Sequence, residues 1–308
     1  PTGGSGVQRW VKFAKYLPSE GWQPVIYTPE NPEQLAVDES LTAEIPSGTE
    51  VIRTHITEPY ELYKKFLRRS GHSREAVEVN PVNAQNKSAL QKAAMWVRGN
   101  LFRPDPRCMW IGPSVKFLKK YLSEHPVDLI VSTGPPQSMH LIGMKLAEAV
   151  GLPWIADFRD PLTKIFYFKH LSMTRSTVRW HKKMEKMVLD KASAVVAVSP
   201  LVQQEFQEMT QTPVELITNG FDECDFPSGR YVEADGGPDK DFVITHTGLF
   251  AADGNPTTLW KVLAEKCRSN GAFAKALKIK LVGKTDKQIV ESIEAVGLGN
   301  SLVDMGYQ

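Results

Sequence analysis

Two short apolar runs, 127–132 and 153–157, are each followed by residues that could bind or activate a substrate. If both runs are parallel strands of one sheet, the loops at their carboxyl ends lie side by side, at the edge where open α/β sheets bind ligands. These loops and the helix after the first of them bring four candidate catalytic side chains to one rim: His140, Asp157, Arg159 and Asp160.

The four side chains at this rim suit the chemistry of phosphates and sugars. An arginine can neutralise a diphosphate, and an aspartate can bind sugar hydroxyls or take a proton. Each also has a structural alternative. Asp157, Arg159 and Asp160 can form an ion-pair network, and His140, one turn into its predicted helix, can simply pack or cap.

A glycine-rich loop at 3–6 (Gly-Gly-Ser-Gly) opens the predicted helix that carries Arg9. Free N–H groups at a helix start bind anions, and glycines let a phosphate or sugar approach the backbone; a tight turn is the alternative. The spacing does not match a GxGxxG dinucleotide fingerprint. A P-loop ending at Lys284 is also excluded, because Lys278 stands where its first glycine would be needed.

The elements that position these residues alternate between short β-branched runs and amphipathic stretches of helix length. Such alternation predicts a parallel sheet with helices on both faces. The six runs before residue 219 show little polar alternation, so we expect those strands to be buried on both faces. The predicted strands are 24–28, 50–54, 127–132, 153–157, 194–198 and 214–217, and then 242–247, 277–282 and 301–304 after a glycine- and proline-rich stretch at 219–241.

The sequence therefore predicts an α/β protein of two Rossmann-like domains, 1–225 and 226–308, with a helical insertion at about 58–112 in the first. The loop 3–6 has no strand before it, and about three strands are few for a sheet of ordinary width. We expect a fragment that lacks its first strand and the end of its second domain. Gly248 and Gly283 each follow a strand of the second domain, so we expect ligand binding in a cleft between the domains.

Composition limits the classes of function. The 308 residues are 42% hydrophobic and 23% charged, with a formal charge of +2, which excludes disorder and gives no global reason to expect a nucleic acid. No apolar run approaches the roughly 18 residues of a membrane span. The three cysteines form no metal or disulfide pattern, so we expect a reducing compartment.

Two stretches combine basic with aromatic residues. Residues 60–110 hold ten basic and four acidic residues, and residues 162–187 hold seven basic and one acidic. Clusters of this kind favour an anionic membrane surface or a lipid diphosphate, and no nucleic-acid-binding motif accompanies them. A solvated helix face with aromatics in the core is the alternative.

The order and spacing of several motifs resemble those of family 4 retaining glycosyltransferases of the GT-B type, which consist of two Rossmann-like domains. The resemblance extends over nearly the whole chain and is strongest at the loop 3–6 and at 219–222 (Asn-Gly-Phe-Asp). The segments that carry it are 3–9 (GGSGVQR), 103–110 (RPDPRCMW), 128–140 (DLIVSTGPPQSMH), 156–161 (ADFRDP), 197–200 (AVSP), 219–226 (NGFDECDF) and 245–250 (THTGLF).

The resemblance implies a nucleotide-diphospho-sugar bound by the second domain and an acceptor bound by the first. A hexose would move to a lipid-linked or polysaccharide acceptor with retained anomeric configuration, in bacterial envelope, lipopolysaccharide or capsule synthesis. No cofactor, obligatory metal or nucleic acid is expected, and the enzyme would be cytoplasmic, at the inner face of the plasma membrane. The predicted donor-binding residues are Gly4, Ser5, Gly6, Arg9, Gly248, Gly283, Lys284, Gly306 and Tyr307. The predicted acceptor-binding residues are Thr133, Gly134 and Pro135.

The sequence departs from the family at the donor side, where Leu249 occupies a position at which many relatives carry an arginine for the diphosphate. No carboxylate pair across the cleft is evident, which favours a front-face reaction in which the departing diphosphate takes the acceptor's proton. The cations predicted to stabilise that charge are Arg9, Arg159 and Lys284. An NDP-sugar epimerase or hydrolase of the same design, or a non-catalytic nucleotide- or glycan-binding module, remains as an alternative.

Overall fold

The computed structural model describes residues 5–31, 38–57, 96–165, 168, 171–225 and 241–306. Three predicted features fall outside these ranges: Gly4, Tyr307 and most of the helical insertion, 58–95; for Ser5 only the backbone is described. The chain divides into a first unit, Pro1–Asp225, and a second unit, Phe226–Gln308.

The first unit contains two parallel sheets. Strands β1 (Val25–Pro29) and β2 (Glu50–Thr54) pair with each other. The second sheet has four strands in sequence order, and among the described strands the two sheets share no hydrogen-bonded ladder. Its strands are β3 (Ile130–Gly134), β4 (Trp154–Phe158), β5 (Ala194–Ala197) and β6 (Val214–Leu216).

The helices of the first unit begin and end where local chemistry dictates. Thr174 and Ser199 accept backbone N–H groups of the helices that follow them, and Gly151, with a φ of 72°, ends the helix before β4 in the left-handed region. The helices are α1 (Ser5–Tyr16), α2 (Ser40–Ala43), α3 (Ile111–Glu124), α4 (Ser138–Val150), α5 (Arg175–Lys191) and α6 (Pro200–Gln207).

The core of the first unit lies around β4 and β5. Trp154 and Phe158 are each 1% exposed, and Val195, Ala197 and Leu189 are fully buried. The predicted burial of these central strands is therefore confirmed, but the prediction is wrong for β1 and β2, which are only half-buried, and for β6, where Glu215 and Leu216 are exposed.

The second unit has one parallel sheet in the order β7 (Phe242–Thr247), β8 (Leu277–Val282), β9 (Leu302–Asp304). Alternate residues of β8 point into a core built with Trp260 and Ile289. The helices are α7 (Thr257–Ser269), α8 (Gly271–Ala276) and α9 (Lys287–Ala295). In the described parts of both units, each helix is too short or too polar to cross a bilayer.

Candidate functional site

The two predicted loops of the first unit do meet at one edge of the four-stranded sheet. In the register of β3 with β4, Thr133 lies opposite Asp157 and Gly134 opposite Phe158. Beyond the strand ends, the N–H of Arg159 donates to the carbonyl of Gly134 at 2.9 Å. The structure therefore places the candidate catalytic and acceptor residues of these loops side by side.

Asp157 is the anchor of a buried network rather than a free carboxylate. It is 2% exposed and accepts hydrogen bonds from Arg9, at 3.0 Å to Nη2 and 3.4 Å to Nε. The indole N–H of Trp10 and the hydroxyl of Thr133 also donate to it, at 2.7 and 2.8 Å. With both oxygens occupied, Asp157 is suited to positioning α1 against the sheet.

Arg9 completes this network with its remaining donor group. Its Nη1 atom lies 3.2 Å from both the carbonyl oxygen of Thr218 and the Oδ1 of Asn219. Its side chain is 4% exposed. The geometry thus gives Arg9 a positioning task, holding α1, β4 and the segment after β6 together. The ion pair between Arg9 and Asp157 joins residues 148 positions apart, and no local pattern in the sequence signals it.

Arg159 lies against the amino-terminal turn of α1. A Cβ atom added to Gly6 would lie only 1.8 Å from Nη1 of Arg159, so only glycine allows this approach. Nη2 donates to the carbonyl of Pro135, and the buried Nε has no hydrogen-bond partner among the residues that the structure describes. Burial lowers the pKa of Arg159, while the charges of Asp157 and Asp160 oppose that shift.

The guanidinium of Arg159 lies beside the amino-terminal end of α1, which is the positive end of the helix dipole. The first N–H groups of α1 have no partner within the helix, and Arg159 adds a partly desolvated guanidinium beside them. An anion bound here would be stabilised by both. The arrangement therefore has the chemistry of a phosphate or diphosphate site.

Asp160 is the carboxylate of the rim that remains available for chemistry. Among the described residues its carboxylate makes no hydrogen bond, although its backbone carbonyl accepts one from Gln137 at 3.5 Å. Burial raises the pKa of Asp160, and the neighbouring charge of Arg159 lowers it in part.

His140 is fully buried beneath the rim. Its Nδ1 lies 2.9 Å from the hydroxyl of Ser132, which also accepts the indole N–H of Trp154 at 2.8 Å. Its ring stacks on Phe158 at 4.2 Å, and burial lowers its pKa to about 3. A neutral, enclosed ring with Nε2 directed at Gly134 favours the packing interpretation over a catalytic one.

Two carboxylates that the sequence did not indicate, the buried Glu185 and the half-buried Asp105, hold the rim loops in place. Glu185 on α5 accepts the N–H groups of Leu162 and Thr163, at 2.7 and 3.1 Å, and the hydroxyl of Thr163. Asp105 accepts the N–H and hydroxyl of Ser138, at 2.7 and 2.8 Å, at the start of α4. The signal that could have found them is an acid in an otherwise basic stretch.

A cluster of charges ties the other end of α1 to the segment after β6. Lys12 bonds to Glu44, and to Asp222 and Asp225 at 3.0 and 2.7 Å. Hydrogen bonds from Lys15, Tyr16 and Lys12 hold the pKa of Asp222 far below its usual range. The three carboxylates are close enough to share a cation, and the Lys12 ammonium supplies one.

In the second unit, three predicted donor-binding glycines adjoin at the carboxyl ends of the three strands. Gly248, Gly283 and Gly306 have φ values of 105°, 127° and 63°, which favour glycine. The N–H of Gly283 donates to the carbonyl of Gly306 at 2.7 Å, and a Cβ on Gly283 would lie 2.2 Å from the oxygen of Gly248. Lys284 follows at this edge and is exposed.

A profile of the family described as Glycosyltransferase Family 4 matches residues 65–223, just over half of the chain. The chain belongs to glycosyltransferase family 4. The membership predicted from the motifs is thereby confirmed. A search of curated proteins found no match.

Solved structures show the same fold. Sucrose-phosphate synthase from Thermosynechococcus elongatus is 12% identical, with a TM-score of 0.50, over 99% of this chain and 65% of that one. TarM of S. aureus, in complex with fondaparinux, alpha-GlcNAc-glycerol and UDP, is 12% identical, with a TM-score of 0.52, over 100% of this chain and 75% of that one. This family 4 chain thus spans about two thirds of the length of the first of these structures, and the predicted GT-B fold class, α/β with parallel sheets, is confirmed.

Proposed function

We propose that this family 4 protein transfers a hexose from a nucleotide-diphospho-sugar to a lipid-linked or polysaccharide acceptor, with retention of anomeric configuration. The observation that carries the proposal is the contact of Arg159 with Gly6 at the amino-terminal turn of α1. Two sources of positive potential converge there, and a diphosphate leaving group is the anion that a sugar transfer requires.

The unmet hydrogen-bonding capacity of Arg159 supports a diphosphate in particular. Its buried Nε has no partner in the described part of the chain, and leaving such a donor unpaired costs about 1–3 kcal/mol. A phosphate oxygen beside Gly6 would accept from this guanidinium and from the first N–H groups of α1. Charge developing on the leaving group would be stabilised by donors that need no reorganisation.

The three glycines at the strand ends of the second unit, Gly248, Gly283 and Gly306, support a nucleotide-sugar as the donor. At three strand ends without side chains a ligand can approach the backbone closely, although the N–H groups of these glycines already donate to other groups of the protein. The S. aureus structure with the same fold contains UDP, which is consistent with a nucleoside diphosphate as the product here.

In the proposed reaction, the residues at the rim of the first unit have different roles. Arg159 stabilises the diphosphate, whereas Arg9 and Asp157 position α1 and hold its amino-terminal turn against the sheet. Asp160 binds an acceptor hydroxyl, and the departing diphosphate oxygen takes the proton of that hydroxyl. In this front-face scheme the protein mainly orients the reactants, and it uses no cofactor and no obligatory metal.

We propose that the enzyme acts in bacterial envelope glycan synthesis, on acceptors at the cytoplasmic face of the plasma membrane. The excess of basic over acidic residues in 162–187 supports contact with anionic lipid. Part of that charge is already paired, since Lys164 lies 2.9 Å from Glu205 and Lys186 lies 2.9 Å from Asp190.

A nucleotide-release assay tests the function. UDP-, GDP- and ADP-sugars are incubated with and without a panel of lipid-linked and glycan acceptors. We expect release that depends on acceptor and falls by two orders of magnitude or more in Arg159→Ala, about the loss seen when an oxyanion donor is removed. Arg268→Ala, which removes an exposed arginine in the last turn of α7, is the control. Release without acceptor would instead indicate an epimerase or hydrolase, and unchanged release in a folded Arg159→Ala would remove Arg159 from the mechanism.

A further inference from the structure

The first unit contains a cavity of about 250 Å³ beside the carboxyl ends of β3 and β4. Two walls come from the rim loops, through Pro135 and Pro136 after β3 and Leu162 after β4. The other apolar lining residues are Phe102, Pro104, Pro106, Pro161, Ile165, Phe168, Leu171 and Met173. The space is partly open to solvent; its described walls are mainly aromatic, aliphatic and proline side chains, and the exposed Arg98 also lines it.

The polar groups that line this cavity are largely committed to the protein itself. Asp105 accepts the N–H groups of Ser138 and Arg107, at 2.7 and 2.8 Å, and the amide of Gln137 donates to the carbonyl of Asp160. Of the described lining side chains, His181 alone has a buried polar atom, Nδ1, without a partner, and it is 3% exposed. Burial lowers the pKa of His181 to about 4, so its ring is neutral near pH 7.

Such walls select against a sugar ring and for an apolar group. A sugar carries several hydroxyls, and each one buried without a partner costs about 1–3 kcal/mol; among the described side chains that line the cavity, Nδ1 of His181 is the one buried polar atom without a partner. Its volume exceeds the roughly 150 Å³ of an apolar cavity that takes up benzene. An aryl ring with a short chain, or an alkyl or isoprenoid segment, would fit the space.

The cavity is coupled to the candidate site through the same two loops. Pro135 lines the cavity while its carbonyl accepts a hydrogen bond from Arg159. Leu162 lines it while its N–H is held by Glu185 at 2.7 Å, two residues after Asp160. A group seated in the cavity would therefore lie beside the loops that carry Arg159 and Asp160.

We propose that this cavity binds the apolar aglycone of the acceptor, so that the acceptor is an amphipathic glycoside or alcohol and its polar end is presented at the rim. The identification of the bound group as part of the acceptor rests on the proposed function. The binding of an apolar group in the cavity stands on the cavity walls alone.

The test compares n-octyl, phenyl and methyl β-D-glucoside as ligands of the 308-residue chain, below the micelle concentration of the octyl compound and without any donor. Affinity is measured by isothermal titration. Because burying two methylene groups is worth about tenfold, we expect octyl or phenyl glucoside to bind at least tenfold more tightly than methyl glucoside. A higher affinity for octyl glucoside than for phenyl glucoside indicates an aliphatic aglycone, and the reverse order indicates an aryl aglycone. Both results support the proposal.

Two matched substitutions locate the binding. Leu171→Trp fills the cavity, whereas Leu201→Trp places the same side chain on the exposed face of α6, where Leu201 is 66% exposed. We expect Leu171→Trp to abolish the tenfold preference and Leu201→Trp to keep it. Ile165→Trp serves as a second filling variant if Leu171→Trp fails to fold by circular dichroism.

Equal affinity for the three glucosides would overturn the proposal, as would a preference that survives in a folded Leu171→Trp or Ile165→Trp. Because no donor is present, these outcomes do not depend on sugar transfer. Tight binding of octyl glucoside together with no transfer in any nucleotide-release assay would leave the cavity assigned and refute the proposed function.

Discussion

Removing the Asp157 carboxylate tests how the rim of the first unit is built. In Asp157→Ala, the guanidinium of Arg9, 4% exposed, loses its counter-charge, and Trp10 and Thr133 each lose a hydrogen-bond acceptor. Breaking a buried ion pair by removing one partner costs about 3–5 kcal/mol. We expect a loss of at least that size in the free energy of unfolding.

The assay is urea unfolding followed by tryptophan fluorescence and circular dichroism, with Glu148→Ala as the control. Glu148 pairs with Lys191, but both side chains are about half exposed, and a surface pair is worth about 0–1 kcal/mol. A cycle with Arg9→Ala adds a second criterion. The double variant should be less destabilised than the sum of the single variants, since it leaves no unpaired buried charge.

A loss below about 1 kcal/mol in Asp157→Ala, equal to that of the exposed pair, would refute the reasoning. Additive single and double variants would do the same, because they would show that Arg9 and Asp157 are energetically independent. Either result would remove the basis for treating these two residues as the frame that holds α1 to the sheet.

Two further predictions concern the same unit. Gly6→Ala should displace the guanidinium of Arg159, because the new Cβ would lie 1.8 Å from its Nη1, and turnover should fall about 100-fold. The control is Gly112→Ala, whose new Cβ has no atom within 4 Å and which should leave turnover unchanged. Equal turnover in the two variants would contradict the account. Stability should fall as the pH drops from 6.5 towards 4, because burial lowers the pKa of His140 to about 3 and of His181 to about 4. Over that range the unfolded chain binds protons that the folded chain does not, so a free energy of unfolding that stays constant between pH 7 and pH 4.5 would count against buried neutral rings.

The sequence predicts best what depends on local pattern. Strand β4 and its neighbour β5 are short, apolar and β-branched, and they are the buried centre of the first unit. Strand β3 begins at Ile130, three residues later than predicted, because its ladder is set by pairing with Trp154 rather than by composition. The shift brings Thr133 and Gly134 into the strand itself.

Contacts between residues far apart in the sequence could not be predicted from local sequence patterns. The motif correctly indicated that Asp157 and Arg159 lie at one rim, but their different environments depend on α1, a helix about 150 residues earlier. Arg9 and Arg159 look equivalent in the sequence as cations for a diphosphate. Only the geometry distinguishes Arg9, whose three guanidinium nitrogens all make hydrogen bonds, from Arg159, whose Nε has no partner among the described residues.

The most direct test of the central claim is the affinity of the protein for UDP, GDP and ADP, measured by isothermal titration in the parent chain, Arg159→Ala and Arg268→Ala. The account predicts that at least one nucleoside diphosphate binds, and that Arg159→Ala weakens its binding at least tenfold while Arg268→Ala does not. Undiminished binding in a folded Arg159→Ala, or no binding of any of the three to the parent chain, would contradict a diphosphate site at the amino-terminal turn of α1.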